Sequence, residues 1–384
     1  MKTFQKIFIA LVVLALASCQ TQESRPAVQV QIPDNPAMEF VQGMGIGVNI
    51  GNTLDAIGTE TWMAGETGWG NPKITREFIQ ALKNYGYTTI RLPVTWAENI
   101  GTAPDYQINA VWMNRVEEVV NWILAEDLYC ILNLHHDGGT SDRSWILNAG
   151  DDPEGTTKQF AAVWKQIAAR FANASDKLIL EAMNEVGFNK IWDQWNPSTI
   201  SGKPEAYRIL NQLNQTFVDT VRSGGSGNAE RFLLVSGYWT DIDQTCDPLF
   251  KMPQDAGGLE HRLILSVHYY TPAVFCILDK DESWGKNRND WGTRADYTEL
   301  ENQFAKIKKH FIDKGIPVIL GEYGVSSGKT KVEAAREKWI TAVTQACLDN
   351  GICPALWDTG NDIKRQPPYE LSGALKNSLT AIKK

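Results

Sequence analysis

KLILEAMNE (177–185) and IPVILGEYG (316–324) are the stretches on which the fold reading turns. Each is a short apolar run without the alternation of a half-solvated strand, and each closes on a glutamate. A strand that is apolar on both faces belongs in a covered, parallel sheet. Six further runs have the same character: GIGVNIGN (45–52), TTIRLPVT (88–95), LYCILNLHH (128–136), RFLLVSG (231–237), RLILSVHYY (262–270) and ICPALWDTG (352–360). Longer stretches with helical periodicity lie between them, such as ITREFIQALKNYG, NRVEEVVNWILAED, TKQFAAVWKQIAARF, EAYRILNQLNQTFVDTV and KVEAAREKWITAVTQACLDNG. Several stop at Gly, as helix C-termini do. The connection after the fifth strand is the weakest helix. Eight strand–helix units predict an α/β fold, a (β/α)8 TIM barrel in a single domain over residues 39–384. An open doubly wound sheet needs a glycine-rich phosphate turn after its first strand, and GVNIGN lacks G-x-G-x-x-G.

Composition agrees with a large covered core. The chain has 384 residues, 43% hydrophobic and 21% charged, which excludes disorder and fibrous repeats. A balance of 37 basic against 45 acidic residues gives −8, so a polyphosphate partner is not expected and nucleic acid is excluded as a ligand. Fourteen Trp supply many flat apolar faces, although a core uses Trp as well.

A barrel places its chemistry at the C-terminal ends of its strands. Polar residues gather there: Asn52, Arg91, His135, His136, Asn184, Glu185, His268, Tyr270, Glu322 and Trp357. Glu185 and Glu322 end the fourth and seventh runs. One such glutamate is readily explained as a structural partner of an arginine. Two on one face point to glycoside hydrolysis, in which one carboxyl protonates the leaving oxygen and the other attacks or activates water. Arg91 and Tyr270 are placed to keep Glu322 ionised, and Asn184 to donate to a sugar hydroxyl.

These residues carry a resemblance. IRLPVTW (90–96), LNLHHD (132–137), LEAMNE (180–185), SVHYY (266–270), ILGEYG (319–324) and LWD (356–358) resemble, in order, the motifs of glycoside hydrolase family 5. GVNIGNTLDA and GWGNP (68–72) are similar to its subfamily 4 of endo-β-1,4-glucanases, whose members cut cellulose derivatives, mixed-linkage glucan or xyloglucan. The resemblance covers about residues 40–383. It implies a retaining endoglucanase needing no metal and no cofactor, with Glu185 as general acid/base and Glu322 as nucleophile. It also implies that His135, His136, Asn184 and His268 contact sugar or orient the carboxylates. Trp357 is then the platform beside the scissile bond, with Asn52 and Asp55 on its far side. Retention predicts carboxyl groups about 5–5.5 Å apart, against about 6.5–9.5 Å for inversion. Mannan hydrolysis on the same scaffold and glycan binding without cleavage are the competing readings.

Other features have plainer explanations. His135 and His136 are adjacent on a strand, so their side chains are expected to diverge and to make a poor metal pair. Trp62, Trp69 and Trp145 are candidate sugar platforms, Trp96 a core residue, and Trp284 and Trp291 candidates for the leaving-group side. Gly324-Val325-Ser326-Ser327-Gly328 matches a nucleophile elbow. The last histidine, His310, precedes Ser326, so the Ser–acid–His chain order of an esterase is unavailable.

Residues 1–18 read as a lipoprotein signal peptide: Lys2 and Lys6, an apolar run, then Leu16-Ala17-Ser18 before a lipidated Cys19. Residues 19–38 read as a flexible tether. The expectation is an exported, monomeric bacterial lipoprotein on the outer membrane or cell surface, touching the membrane only through its lipid. Cys130, Cys246, Cys276, Cys347 and Cys353 lack CxxC spacing and are an odd set, which leaves one disulfide open.

Overall fold

A computed structural model describes residues 32–58, 65–141, 143–256 and 259–382. Eight strands close into a barrel in chain order, β1 pairing with β8. They are β1 (Gly47–Asn49), β2 (Thr89–Leu92), β3 (Tyr129–Asn133), β4 (Leu178–Glu181), β5 (Leu233–Asp241), β6 (Leu263–Tyr269), β7 (Val318–Tyr323) and β8 (Cys353–Leu356). Every neighbouring pair is parallel. The helices are α1 (Pro36–Gly43), α2 (Arg76–Asn84), α3 (Ala110–Ala125), α4 (Pro153–Arg170) and α5 (Lys203–Ser223), then α6 (Ile242–Thr245), α7 (Ala273–Cys276), α8 (Arg294–His310), α9 (Glu333–Asp349) and α10 (Gly373–Ala381). The expected barrel is observed. Among the described residues of the fifth connection the only α-helix is the four-residue α6, in keeping with its weak periodicity.

Apart from β5, which runs four residues beyond its apolar stretch to Asp241, the strands are shorter than the apolar runs suggested, and the difference falls mostly at their C-terminal ends. Asn52, His135, His136, Asn184, Glu185, Tyr270 and Trp357 all lie just past a strand, where the backbone leaves the ladder and can aim a side chain into the barrel mouth. Local capping fixes where the helices begin. Thr75 accepts the Phe78 amide at the start of α2, Asp152 accepts that of Gly155 at α4, and Thr293 with Asp296 forms a reciprocal capping box at α8.

The barrel interior changes character along its axis. Ile131, Ile179, Leu234, Ile264, Ile319 and Cys353 form one buried cluster with Ala37, Val41 and Met44 from α1 and the residue after it. Helix α1 therefore plugs the N-terminal mouth. Two residues along β3, β4, β5 and β6 stand Asn133, Glu181, Ser236 and Ser266, all buried. The period of a strand puts them on the same side of the pleat as the apolar layer, one storey nearer the other mouth. The last residues of the segment expected as a tether, 19–38, are folded. Asn35 caps α1 by accepting the Ala37 and Met38 amides and donates to the Gly315 carbonyl at 3.0 Å, so residues from 35 onward belong to the folded domain. Residues 1–31, including Cys19, lie outside the described residues. All five later cysteines are free, so no disulfide joins them. Among the described residues no helix is long and apolar enough to cross a membrane.

Trp164 of α4 links packing to the site. It is fully buried, stacks edge-on against Phe217 of α5 at 4.5 Å, and donates its indole N–H to the Ala182 carbonyl at 3.1 Å. That carbonyl lies three residues before Glu185. Trp164→Ala is expected to cost about 3–5 kcal/mol in chemical unfolding.

Candidate active site

The site is assembled around Arg91. Its guanidinium is fully buried on β2 and donates to both oxygens of Glu181, through Nε at 2.7 Å and Nη2 at 3.2 Å. Nη1 donates to Glu322 Oε1 at 2.7 Å and to Asn49 Oδ1 at 3.0 Å, while Nη2 donates to Asn184 Oδ1 at 2.8 Å. Burial alone lowers the pKa of an arginine, but the two carboxylates outweigh it and hold Arg91 above its ordinary value. Asn49 is itself fixed by donating to the Gly321, Ala355 and Leu356 carbonyls. Asn49, Glu181 and Ser266, which donates to Glu181 at 3.1 Å, were not read from the sequence as site residues. The available signal was a polar residue inside an apolar run, as in LILE.

Tyr270 donates its phenol to the other oxygen of Glu322 at 3.0 Å. Burial, then the Glu322 charge, pushes its pKa well up, so it stays a donor. His268 bridges the two glutamates. Its Nδ1 lies 2.8 Å from Glu185 Oε1 and 3.7 Å from Glu322 Oε2. One oxygen of each carboxyl and a His268 nitrogen all lie within 4.8 Å of one another. The two carboxyls thus face each other closely, the arrangement that double displacement uses.

Burial raises the Glu322 pKa, and the Glu185 charge adds to it against the pull of His268 and Arg91. Burial also pushes Glu185 up, but the His268 hydrogen bond and charge leave its pKa below the ordinary value. The physical reason is that Arg91 is divided between two carboxylates while Glu185 has His268 directly against it. Glu185 also sits at φ 44, a left-handed conformation uncommon for a glutamate and found at functional positions.

A cleft of about 810 Å³ opens above these groups. Its lining includes Trp69, His135, His136, Asn184, Glu185, Tyr270, Glu322 and Trp357, as anticipated. Trp357 stacks on His135 with ring centroids 5.4 Å apart and planes 7° apart. Trp69 stays partly exposed, anchored by its indole N–H to the Ile57 carbonyl at 2.8 Å. Burial lowers the pKa of His135, and takes that of His136 down to about 4, so both rings are neutral near pH 7.

Several sequence assignments are corrected by position. Trp145 does not line this cleft: its indole N–H is bonded to Asp137 Oδ1 at 2.6 Å, which turns it towards a neighbouring groove. Asp55 is fully buried behind the wall, accepting the Asn52 and Thr53 amides at 3.1 and 2.7 Å, and burial raises its pKa to about 6. Neither it nor Asn52, which holds a φ of 57, is among the lining groups. Trp291 is buried against Tyr297, and Trp284 is exposed and not among the groups that line the cleft. Trp62 lies outside the described residues. Trp96 is a core residue, as read, bonded to the Asn133 carbonyl at 2.9 Å. His135 and His136 do not diverge, because both stand past the end of β3; their rings are 4.6 Å apart. Ser326 donates to Asp279 at 2.5 Å, and the last histidine, His310, is engaged with the Lys306 carbonyl, so the elbow motif has no triad.

A closed eight-stranded barrel whose mouth holds two close carboxyls, one bound by arginine and tyrosine, defines a retaining glycoside hydrolase. Residues 54–363 match the cellulase family, glycosyl hydrolase family 5, and the chain belongs to that family. It is 35% identical over 401 residues to Endoglucanase A of Paenibacillus barcinonensis, spanning 99% of this chain and 96% of the relative. A lichenase of the same family from Caldicellulosiruptor sp. F32 shares the fold with a TM-score of 0.81 at 29% identity, over 94% of this chain and 97% of that one. A family 5 xyloglucanase from Paenibacillus pabuli gives 0.79 at 34% identity, over 89% and 98%. The chain is an endo-acting enzyme that cleaves β-1,4-glucan backbones with retention.

Two expectations follow from this geometry. A Cβ at Gly321 would sit 2.9 Å from Ser266 Oγ and 3.1 Å from His268 Nε2. Gly321→Ala is therefore expected to lower kcat by about 100-fold, through misplacement of His268, while circular dichroism shows a folded barrel. His136 titrates at 6.5 unfolded but at about 4 folded, so the unfolded chain takes up its proton first as pH falls. The stability this group confers is present above pH 6.5 and is lost between 6.5 and 4. Denaturant midpoints measured across that window should fall less steeply for His136→Gln than for the parent.

Proposed function

We propose that Glu322 is the nucleophile and Glu185 the general acid/base of this endoglucanase. The observation that carries the assignment is the unequal set of donors. Glu322 is gripped on both oxygens by Arg91 and Tyr270 and cannot swing, whereas Glu185 has one displaceable partner and a side chain 37% exposed to the cleft. A fixed carboxylate suits in-line attack on an anomeric carbon; a reachable one suits exchange of protons with a leaving oxygen and with water.

Substrate binding has a second task, to prepare Glu185 as the acid. A glucan lying on Trp357 excludes water from Glu185 and places the glycosidic oxygen where it competes with His268 for that carboxyl. Both changes favour its protonated form. Glu322 then attacks the anomeric carbon as Glu185 delivers its proton to the leaving oxygen, giving a glycosyl-enzyme and a freed saccharide. Glu322 carries no charge in that intermediate, so Glu185 can ionise. It removes a proton from water, which attacks the same carbon and releases the sugar with its original configuration. His135, His136 and Asn184 hold the ring over Trp357, and Trp69 extends the platform along the chain.

The preferred substrates in this reading are soluble cellulose derivatives and mixed-linkage glucan, with xyloglucan accepted. The lichenase and xyloglucanase relatives support that range. The enzyme acts as a monomer, exported and held by a lipid on Cys19 at the bacterial outer surface. The Lys-flanked apolar run before Ser18-Cys19 supports the anchor.

Product analysis on carboxymethyl-cellulose, mixed-linkage glucan, xyloglucan, xylan and mannan tests the substrate. Oligosaccharides are expected from the glucans and from none of these with Glu322→Gln; products from mannan alone would overturn the substrate range. Glu185→Ala should recover turnover of an activated aryl glucoside with azide and give a β-glycosyl azide; an α-product would reverse the two roles. Cys19→Ala is expected to move the protein from the membrane to the soluble fraction.

A further inference from the structure

Behind the sugar platform is a donor cluster that the hydrolytic mechanism does not use as a unit. Asp55, His135 and His136 each present one ligand atom, and the three atoms lie within 4.8 Å of one another. His136 Nε2 is buried and has no hydrogen-bond partner. It faces Asp55 Oδ2 at 3.8 Å, too far for a direct hydrogen bond and close to the span of two donors sharing one ion. The Asp55 carboxylate is held in place by the Asn52 and Thr53 amides. The two imidazoles stand at 79° to each other, presenting their nitrogens from different directions.

Two imidazole nitrogens and one carboxylate oxygen suit zinc and its first-row neighbours, whereas magnesium and calcium favour oxygen alone. Tetrahedral donors about 2.0–2.1 Å from zinc stand roughly 3.3 Å apart. The cluster needs only a modest contraction to reach that spacing. His136 is the part able to give, because it lies past the end of β3 with a quarter of its side chain exposed. The other compact cluster, Glu185–His268–Glu322, is a poorer host. His268 Nδ1 and the carboxylate oxygens there already bond one another or Tyr270 and Arg91, and Arg91, in direct contact with Glu322, opposes a second cation.

We propose that Asp55, His135 and His136 form an inhibitory site for a divalent transition-metal ion of the zinc type. Occupancy draws both imidazoles away from the sugar and tilts His135 off Trp357, so metal and glucan exclude one another. This competition rests on the sugar-contact role given to the two histidines; metal binding itself does not.

The test uses the full-chain protein after chelator treatment. Zinc chloride titrated by calorimetry should bind one ion per chain, and cobalt(II) should develop visible absorption that zinc abolishes. Asp55→Asn and His136→Gln should each weaken zinc binding by about tenfold or more. In Glu322→Gln, which cannot turn over substrate, saturating cellotetraose should raise the apparent zinc Kd. Should either cluster variant fail to fold, the zinc-induced rise in Tm of the parent, absent from the remaining folded variant, supplies the same readout. Zinc affinity unchanged in Asp55→Asn, or lost in Glu185→Gln instead, would overturn the site. Metal binding undisturbed by cellotetraose would overturn the inhibition. Failure of the hydrolase reading would show separately, as inactivity before any metal is added.

Discussion

The mouth of the barrel depends on one buried guanidinium. Arg91 has no access to water, so its charge is tolerable only because carboxylates and amide oxygens surround it. It must serve two anions at once. Glu181 takes the bidentate face and leaves a single nitrogen for Glu322. Had Glu181 been apolar, Arg91 would neutralise Glu322 outright and hold it firmly ionised. Dividing the charge leaves Glu322 less strongly stabilised as an anion than an undivided Arg91 would make it.

The interior layers explain how such a polar knot survives inside a barrel. The lower storey, sealed by α1, is aliphatic and needs no hydrogen bonds. The upper storey is polar, and its bonds are mostly internal: Asn49 to three strand carbonyls, Ser266 to Glu181, Ser236 to the Met183 carbonyl. Buried polar groups are costly only when unsatisfied. Here the lattice that satisfies them is also what orients the reacting groups, so stability and chemical alignment come from the same bonds.

The barrel was legible because each strand is covered on both faces, and burial of both faces erases alternation from the sequence. The two glutamates were legible for a related reason: a charge closing an apolar run has no cheap structural explanation when it occurs twice. Glu181 was hidden by its position within LILE, where a buried partner across the barrel, Arg91, removes the cost that would have drawn notice. Trp145 was misplaced because sequence gives an aromatic its neighbourhood but not its direction, and one indole bond to Asp137 decides that direction. The divergence expected of His135 and His136 failed because strand geometry was extended past Asn133, where β3 ends.

Helix α1 has a consequence for how the molecule presents itself. Because it stoppers the barrel at the end away from Glu185 and Glu322, the polypeptide enters the fold at the pole opposite the cleft. The cleft opens at the other pole, so a long polymer can lie across it without meeting the point where the chain enters.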